Sequence, residues 1–248
     1  MQDVVFAFLL TSVAGLSTGV GSSIAYLIRK PKLSYLSVLL GFAAGVMIYI
    51  SFAELLVTAM EEVGFLFANA AFFGGIAAMF LLDRVIPHTH VDTSEDNPGW
   101  TLERVGLMTA LGIAIHNFPE GLGVLAVSLG SPELGLPVAA AIAIHNIPEG
   151  ICVSVPIFYA TGDRRKAFFY SMLSGIAEPV GAVIGYLILL PFLTPVVISS
   201  TMAFVGGIMV FICFDELIPV ANEYGDLHNG MYGLFLGMFV MMLSLHIL

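Results

Sequence analysis

Charged side chains are scarce in this chain. Only 10% of its 248 residues are charged, 58% are hydrophobic, and the mean hydropathy is +0.99. A soluble domain carries about 25% charged residues. The composition therefore excludes an ordinary water-soluble fold and predicts an all-α, polytopic membrane protein, because helices satisfy their own backbone hydrogen bonds in lipid. Membrane lipid is the expected surrounding, and no nucleic-acid partner is expected.

Basic residues and cysteines are scarcer still. The eight Lys and Arg residues never interrupt an apolar stretch. The two cysteines, Cys152 and Cys213, lie in apolar stretches, which argues against a structural disulfide and favours packed membrane cysteines. The amino terminus lacks a basic segment and a small-residue cleavage site, so its apolar run is predicted to be a first span. No G-x-x-x-x-G-K-[ST] sequence is present, which argues against transport driven by ATP hydrolysis within this chain.

Eight apolar stretches approach the length needed to cross a bilayer, about 20 residues. Their predicted limits are about 4–28, 35–58, 65–83, 103–129, 136–160, 167–190, 196–216 and 230–248. Every Lys and Arg lies in or beside the first, third and fifth connections, and basic connections face the cytoplasm. An eight-helix bundle then has both termini outside. We expect one transmembrane domain over 1–248, with a cytoplasmic loop at about 84–102.

Two similar polar motifs interrupt the apolar stretches. AIHNFPEG covers Ala114–Gly121, and AIHNIPEG covers Ala143–Gly150. An acid at the middle of a membrane helix costs about 2.5–3.5 kcal/mol on insertion scales. A histidine in one span is usually a hydrogen-bond partner between helices, but the duplication of a costly motif favours a function. The short turn between the two spans predicts an antiparallel hairpin that brings both motifs to one depth.

The spacing within each motif places polar groups on one helix face. His116 and Glu120 are four residues apart, as are His145 and Glu149 in the next span. The proline before each glutamate removes one helical hydrogen bond, which is tolerated in lipid where the helix lines a cavity. A third glutamate, Glu178, lies at a similar depth in SGIAEP of the sixth span.

These three carboxylates have no basic residue within a span to neutralise them. Either protons or cations must do so. Imidazole beside carboxylate suits a divalent transition metal, and the absence of thiolate from the motifs favours Zn²⁺, Fe²⁺, Mn²⁺ or Co²⁺ over Cu(I). The imidazoles also argue against Mg²⁺ and Ca²⁺. The residues alone leave open whether one ion or two are bound.

The motifs resemble those of the ZIP (Zrt-, Irt-like) family of divalent metal transporters, in particular its bacterial ZupT-like branch. The resemblance covers essentially the whole chain. Besides the two HNxPEG motifs and SGIAEP, its landmarks are GFAAGVMIYISFAEL at Gly41–Leu55, LDRVIPHTH at Leu82–His90 and GIMVFICFDELIP at Gly207–Pro219. The eight spans and the outward termini agree with what the resemblance implies.

The resemblance implies a binuclear centre at the middle of the membrane. One ion would be held by two histidines and two glutamates, namely His116, Glu120, His145 and Glu149. A second ion would be held with the help of Asn117, Asn146 and Glu178, and the glutamates would be shared. The metal ions are the transported substrate, and no cofactor is expected.

Further residues are expected along the path of the ion. In the second span, Met47 is more simply explained by packing, whereas Glu54 lies nearer the outer surface and belongs to a possible entrance. At the cytoplasmic surface, the exit region would contain four residues: His88 and His90 of the third connection, and Asp215 and Glu216 at the end of the seventh span. Solvated loop histidines remain an equally simple explanation for His88 and His90.

The resulting prediction is an importer in the bacterial inner membrane that works by alternating access. Zn²⁺ is the expected substrate, together with Fe²⁺, Mn²⁺, Co²⁺ and Cd²⁺, and proton-coupled release is a hypothesis because protons and metals compete for the same ligands. Two alternatives stay open: an intramembrane di-metal enzyme, although its usual E-x-x-H and H-E-x-x-H spacings are absent, and a proton relay without metal. The ranking of metals, the coupling ion, the direction of transport and a homodimeric state also stay open.

Overall fold

The computed structural model describes residues 2–28, 32–85, 98–130, 132–192, 194–223 and 227–247. Within these ranges the chain is helical and contains no strand, and eight stretches are long and apolar enough to cross a membrane. The predicted all-α, eight-span architecture is therefore confirmed. We number the spans 1 to 8 in chain order: Asp3–Leu27, Leu33–Val63, Phe65–Leu82, Gly106–Gly130, Gly135–Thr161, Arg164–Ile188, Pro195–Glu223 and His228–His246.

Several spans combine more than one helical segment. The α-helices are Gln2–Ser22, Ile24–Leu27, Leu33–Ile50, Leu56–Val63, Phe65–Val85, Pro98–Gly130, Pro132–Thr161, Arg164–Ile184, Pro195–Ile212, Ile218–Glu223 and Leu227–Ile247. Single π-helical turns cover Ser51–Leu55, Gly185–Leu189 and Cys213–Leu217, and a 3₁₀ turn covers Leu190–Phe192. The fourth span thus starts within a helix that begins at Pro98, so that both ends of the predicted loop at 84–102 are helical, while residues 86–97 lie outside the described residues.

The largest differences from the predicted limits occur in spans 2 and 7. Span 2 continues to Val63 instead of ending near residue 58, and span 7 continues to Glu223 instead of residue 216. Asp215 and Glu216 therefore lie inside span 7, not at its end. Each of these spans contains a π-turn, at Ser51–Leu55 in span 2 and at Cys213–Leu217 in span 7, and in span 7 the helix continues past Pro219 as well.

Spans 2 and 7 also contain related sequences around these turns. GVMIYISFAELL at Gly45–Leu56 and GIMVFICFDELI at Gly207–Ile218 share Gly, Met, Ile, Phe, Glu and Leu at equivalent positions. In both, a fully buried methionine precedes the π-turn. Because one span has an even number and the other an odd number, the two segments cross the membrane in opposite directions. They form an inverted repeat within the bundle.

The helices pack as two groups of four. Spans 1, 4, 5 and 6 pack chiefly against one another, and we call them the site body. Their backbones approach closely at glycines: a Cβ added at Gly21 would overlap the carbonyl oxygen of Ile147, and one at Gly121 would overlap that of Glu178. Small residues permit this close packing, which is a common way for membrane helices to associate.

Spans 2, 3, 7 and 8 form the second group, which we call the outer body. Here a Cβ at Gly45 would overlap the carbonyl oxygen of Leu234, and one at Gly207 would overlap that of Phe72. Spans 2 and 8 are thereby joined backbone to backbone, and so are spans 3 and 7. At these positions the backbones of neighbouring helices within a body leave no room for an added methyl group.

Contacts between the two bodies are of a different kind. On span 4, a Cβ at Gly112 would meet the side chain of Ile212, and one at Gly123 would meet the side chain of Met202, both from span 7. Side chains can change rotamer, whereas backbone carbonyls cannot move without the helix. The interface between the bodies is consequently more adaptable than the packing inside either body.

Polar contacts fix the first and fifth connections to each other. Arg164 donates a hydrogen bond to the carbonyl oxygen of Ile28 at 2.8 Å and lies over the Phe158 ring at 4.9 Å. Tyr159 donates to the carbonyl oxygen of Lys32 at 2.8 Å. Arg164 thus satisfies a carbonyl at the end of span 1, and Tyr159 holds the chain where it enters span 2.

Replacing Arg164 by alanine is expected to lower the free energy of unfolding by about 2 kcal/mol, since a charge-assisted hydrogen bond and an aromatic contact are lost. Arg165→Ala is the matched control, because this neighbouring arginine is exposed. It should change the free energy by less than about 0.5 kcal/mol. Denaturant unfolding of both variants in detergent measures the difference, and equal effects would contradict the role given to Arg164.

Candidate metal centre

The two HNxPEG motifs lie side by side on adjacent helices of the site body. Spans 4 and 5 pack closely and antiparallel, and each helix continues through its motif proline, Pro119 or Pro148. All six His, Asn and Glu side chains of the motifs are buried. The two motifs meet within the bundle through the contacts that follow.

Histidine and glutamate pair across the two helices. His116 Nε2 lies 2.8 Å from Glu149 Oε1, and His145 Nε2 lies 3.1 Å from Glu120 Oε1. Each pair takes its histidine from one motif and its glutamate from the other. The two pairs thus link spans 4 and 5 twice, in a nearly symmetric arrangement.

Three of these side chains are close enough together to bind one ion. A ligand atom from each of His116, Glu120 and Glu149 lies within 4.8 Å of the others. Zinc bonds to nitrogen and oxygen are about 2.0–2.2 Å, so ligand atoms around one ion are up to about 4 Å apart. A small contraction would bring this group to that separation.

Asn117 adds an amide to the same group. One terminal atom of its side chain lies 3.0 Å from His116 Nε2 and 3.2 Å from Glu149 Oε2, where an NH₂ group would donate to both. In the opposite orientation the NH₂ group donates to the carbonyl oxygen of Ser174 at 3.3 Å, and the amide oxygen faces the histidine and the carboxylate. The second orientation is the one that would complete a cation site.

Asn146 and Glu178 form a second polar group beside the crossed pairs. The Asn146 amide donates to Glu178 Oε2 at 2.7 Å and to the carbonyl oxygen of Ala14 at 2.9 Å. Glu178 is fully buried in span 6, and its charge interacts with those of Glu120 and Glu149. All seven residues predicted at the centre are therefore buried in spans 4, 5 and 6 of the site body, in two hydrogen-bonded groups.

Several oxygens of this group lack a donor. In the part of the chain that the structure describes, no hydrogen bond reaches Glu120 Oε2, Asn146 Oδ1 or Glu178 Oε1, although all three are buried. A buried polar atom without a partner costs about 1–3 kcal/mol. A cation would satisfy these acceptors and offset the carboxylate charges together, which suits a metal centre better than a purely structural network.

A cavity of about 220 Å³ connects this centre with the interface between the bodies. Glu120 and His145 contribute to one end of its wall, and Glu54 and Thr58 of span 2 line it from the outer body, as does Met202 of span 7. Glu54 is exposed and accepts a weak hydrogen bond from Thr58 at 3.4 Å. The predicted entrance residue is thus found in the wall of a cavity that leads to the centre.

The remaining predicted path residues are placed differently. Met47 is fully buried in the apolar core and does not line this cavity. Asp215 and Glu216 lie in the π-turn of span 7, and His88 and His90 lie outside the described residues.

Sequence reasoning missed the parts of the site that lack a motif. The Ala14 carbonyl is a backbone group, and Thr58 and Met202 become cavity residues only when the two bodies are assembled. The similarity between the segments in spans 2 and 7 is a sequence signal that relates Glu54 to Glu216, because the two glutamates occupy equivalent positions.

Comparison with known proteins places the chain among transporters. The family model described as ZIP Zinc transporter matches residues 87–245. Three proteins named Zinc transporter ZupT are similar over nearly their whole length. The protein of Nitratidesulfovibrio vulgaris is 49% identical, over 98% of this chain and 97% of its own. That of Chlorobium phaeovibrioides is 48% identical over 100% of both chains, and that of Campylobacter jejuni is 47% identical over 100% of this chain and 98% of its own.

These relatives are bacterial and are named as transporters, so the alternative of an intramembrane di-metal enzyme is not favoured. Their similarity and the eight candidate spans identify a multi-pass protein of the bacterial inner membrane. With a family model matching most of the chain and relatives matching nearly all of it, the chain belongs to the ZIP zinc transporter family.

Proposed function

We propose that this protein imports Zn²⁺ through a mid-membrane centre in the site body. The observation that carries the proposal is the crossed His–Glu arrangement, whose buried acceptors lack donors at the end of a cavity. Fe²⁺, Mn²⁺, Co²⁺ and Cd²⁺ are proposed as further substrates because mixed nitrogen and oxygen ligands bind all of these ions. The metal is cargo and not a resident cofactor.

The centre is proposed to be binuclear, with two neighbouring groups of ligands. His116, Glu120, His145 and Glu149 would hold the first ion. Asn117, Asn146 and Glu178 would help to hold the second, with the glutamates shared between the ions. The separate hydrogen bond between Asn146 and Glu178 supports a second group, and the unpartnered oxygens of both residues leave acceptors for an ion.

Alternating access is proposed to occur by sliding of the site body against the outer body. All seven proposed ligands belong to the site body, while the outer body supplies walls of the cavity. Several glycines inside each body approach backbone carbonyl groups of a neighbouring helix, whereas Gly112 and Gly123, which face span 7 across the interface, approach side chains. Such an interface can shift without dismantling either body. The ion would then leave past Asp215 and Glu216, on the cytoplasmic side.

The orientation follows from the placement of basic residues. The first, third and fifth connections are proposed to be cytoplasmic and both termini external, within a single domain over 1–248. The cavity is lined by the carboxyl-terminal half of span 2 and the amino-terminal halves of spans 5 and 7. In this orientation those halves lie toward the outside, so Glu54 stands on the entry side.

Uptake of radioactive Zn²⁺ into proteoliposomes of the purified protein tests the proposal, with Fe²⁺, Mn²⁺, Co²⁺ and Cd²⁺ as competitors. We expect saturable uptake that the competing metals reduce. Tight stoichiometric metal binding without flux, in intact and oriented vesicles, would instead support a metal enzyme. Proton movement that a chelator leaves unchanged would support a proton relay.

Replacing Glu54 by glutamine is expected to raise the KM for Zn²⁺ by about tenfold, because a cavity lined by a negative charge concentrates cations. The maximal rate should change little, since Glu54 is not among the ligands of the centre. Glu61→Gln is the control, as Glu61 is an exposed acid on the same span and does not line the cavity. Equal KM values for the two variants would contradict a role of Glu54 in the entry path.

A further inference from the structure

The cavity between the two bodies is mostly apolar, although a metal ion has to cross it to reach the proposed centre. Spans 4 and 5 line it with apolar side chains at helical spacing, namely Val124, Val127, Val138 and Ile142, and the outer body adds Leu55 and Ile198. Carbon atoms cannot replace water as a ligand, and an ion stripped of its water in apolar surroundings is very costly. An ion in this part of the cavity therefore has to keep its water.

Side chains that can replace this water lie at the inner end of the cavity. Glu120 and His145 line that end, and the buried Glu120 Oε2 receives no hydrogen bond in the part of the chain that the structure describes. Glu54 lines the cavity from span 2, but it is not one of the described residues whose ligand atoms lie within 4.8 Å of one another. Because one carboxylate has too few atoms to replace a full water shell, Glu54 would attract the ion through a bridging water.

The cavity is large enough for an ion with its complete water shell. Metal–oxygen bonds of about 2.1 Å and a water radius of about 1.4 Å give a hydrated Zn²⁺ a diameter of about 7 Å. The lining covers two helical turns, from Glu120 to Val127 in span 4 and from Val138 to His145 in span 5, which is about 10 Å. A water molecule takes up about 30 Å³ in the liquid, so the cavity of about 220 Å³ has room for about six waters around one ion.

We propose that this cavity binds a fully hydrated divalent cation, which loses its water only on reaching the centre. The inference rests on the proposed transport function. Glu54 holds the hydrated ion through a bridging water, and Glu120 Oε2 supplies the first direct bond from the protein. Each metal–water bond that breaks is replaced by a bond to a ligand of the centre, and the released water returns through the cavity to the outside.

This order of events gives the cavity a part in the selection of metals. An ion can pass from the cavity to the centre only by exchanging water for protein ligands, and ions differ in how readily they do so. Mg²⁺ dehydrates reluctantly, so it should enter the cavity without passing further. The apolar walls support this selection because they offer no ligands with which an ion could lose water earlier.

Hexaamminecobalt(III) tests the site, because it resembles a hydrated cation in size but does not exchange its ligands. We expect it to inhibit Zn²⁺ uptake into proteoliposomes competitively and to stay outside the vesicles, as measured by their cobalt content. Glu54→Gln should raise its inhibition constant by about tenfold, since the negative charge on the cavity wall is lost. Glu61→Gln is the matched control, because Glu61 is exposed on the same span and does not line the cavity.

Two further measurements distinguish binding in the cavity from binding to the charged surface of the protein. Tris(ethylenediamine)cobalt(III) has the same charge but is bulkier, so it should inhibit at least about tenfold less well if the cavity sets the size limit. Isothermal titration calorimetry in detergent measures the binding of hexaamminecobalt(III) without transport. The wild type and Glu61→Gln should bind it equally, and Glu54→Gln should bind it more weakly.

Several outcomes would overturn the hydrated-ion site. Equal inhibition by the two complexes, or an inhibition that Glu54→Gln leaves unchanged, would mean that the complex binds outside the cavity. Normal Zn²⁺ uptake that hexaamminecobalt(III) does not inhibit would refute the site and leave the transport proposal intact. Cobalt inside the vesicles would contradict the loss of water at the centre. Absence of saturable Zn²⁺ uptake would overturn the transport proposal, and this inference with it.

Discussion

Replacing Glu149 by alanine is expected to lower Zn²⁺ flux by about 100-fold, and His116→Ala should have a similar effect. The two side chains are 2.8 Å apart and completely buried, so removing one takes away a proposed ligand and leaves its partner unpaired. Uptake of radioactive Zn²⁺ into proteoliposomes measures the loss. Glu133→Ala is the control, since Glu133 is an exposed acid on the same helix as Glu149.

Exchange of the two residues gives a sharper test of the crossed geometry. His116→Glu combined with Glu149→His re-forms a His–Glu pair between spans 4 and 5. We expect this variant to transport at least about tenfold faster than either single alanine variant, a coupling of ~1.4 kcal/mol.

The comparison variant exchanges residues within one helix. His116→Glu combined with Glu120→His has the same composition, but it would place glutamate opposite Glu149 and histidine opposite His145. It should remain as slow as the single variants. Equal recovery in both exchanges would mean that the pairs do not act across the helices as the structure has them.

The two exchanges also separate what the sequence could predict from what it could not. Helical spacing placed His116 and Glu120 on one face and brought both motifs to one depth. It did not show that each histidine pairs with the glutamate of the other helix, because that choice depends on how the two helices are rotated against each other. Such a rotation is set by packing, and the close glycine contacts that fix it join residues far apart in the sequence.

The ends of spans 2 and 7 were predicted too early. The predicted end of span 7 at residue 216 falls within its π-turn, after which the helix continues to Glu223, and span 2, which also contains a π-turn, continues to Val63. A π-turn has no reliable sequence signal when a segment is considered alone. Here the inverted repeat offers one, because related segments tend to share the positions at which their helices bend and end. Aligning the two segments places Glu54 and Glu216 at equivalent positions from their residues alone.

If the helices form two bodies, a glycine packed inside one body should tolerate substitution less well than a glycine at the interface between the bodies. Replacing Gly207 by alanine is expected to prevent stable folding, at a cost of about 3 kcal/mol or more, because the new methyl group would overlap the Phe72 carbonyl oxygen inside the outer body. No rotamer change relieves that overlap, since the obstacle is backbone. Yield and thermal unfolding of the purified protein in detergent measure the effect.

Replacing Gly123 by alanine should have the opposite effect: it should reduce transport while leaving the protein folded. Its new methyl group would meet the end of the Met202 side chain across the interface between the bodies, and that side chain can rotate away. The protein should fold with nearly normal stability. Because Gly123 and Met202 both line the cavity, however, the displaced methionine would narrow the path, and Zn²⁺ flux should fall by about tenfold.

Gly130→Ala completes the comparison on the same helix as Gly123. Apart from Gly130 itself, its two chain neighbours and the backbone of its own helix turn, no atom of the described residues lies within 4 Å of a Cβ built at Gly130. Neither the stability nor the Zn²⁺ flux should therefore change much. A stable Gly207→Ala protein, or a Gly123→Ala protein that unfolds before it loses transport, would contradict the division into two rigid bodies with an adaptable interface. The proposed sliding requires that division, because the ligands must move as one unit while the opposing wall gives way only through its side chains.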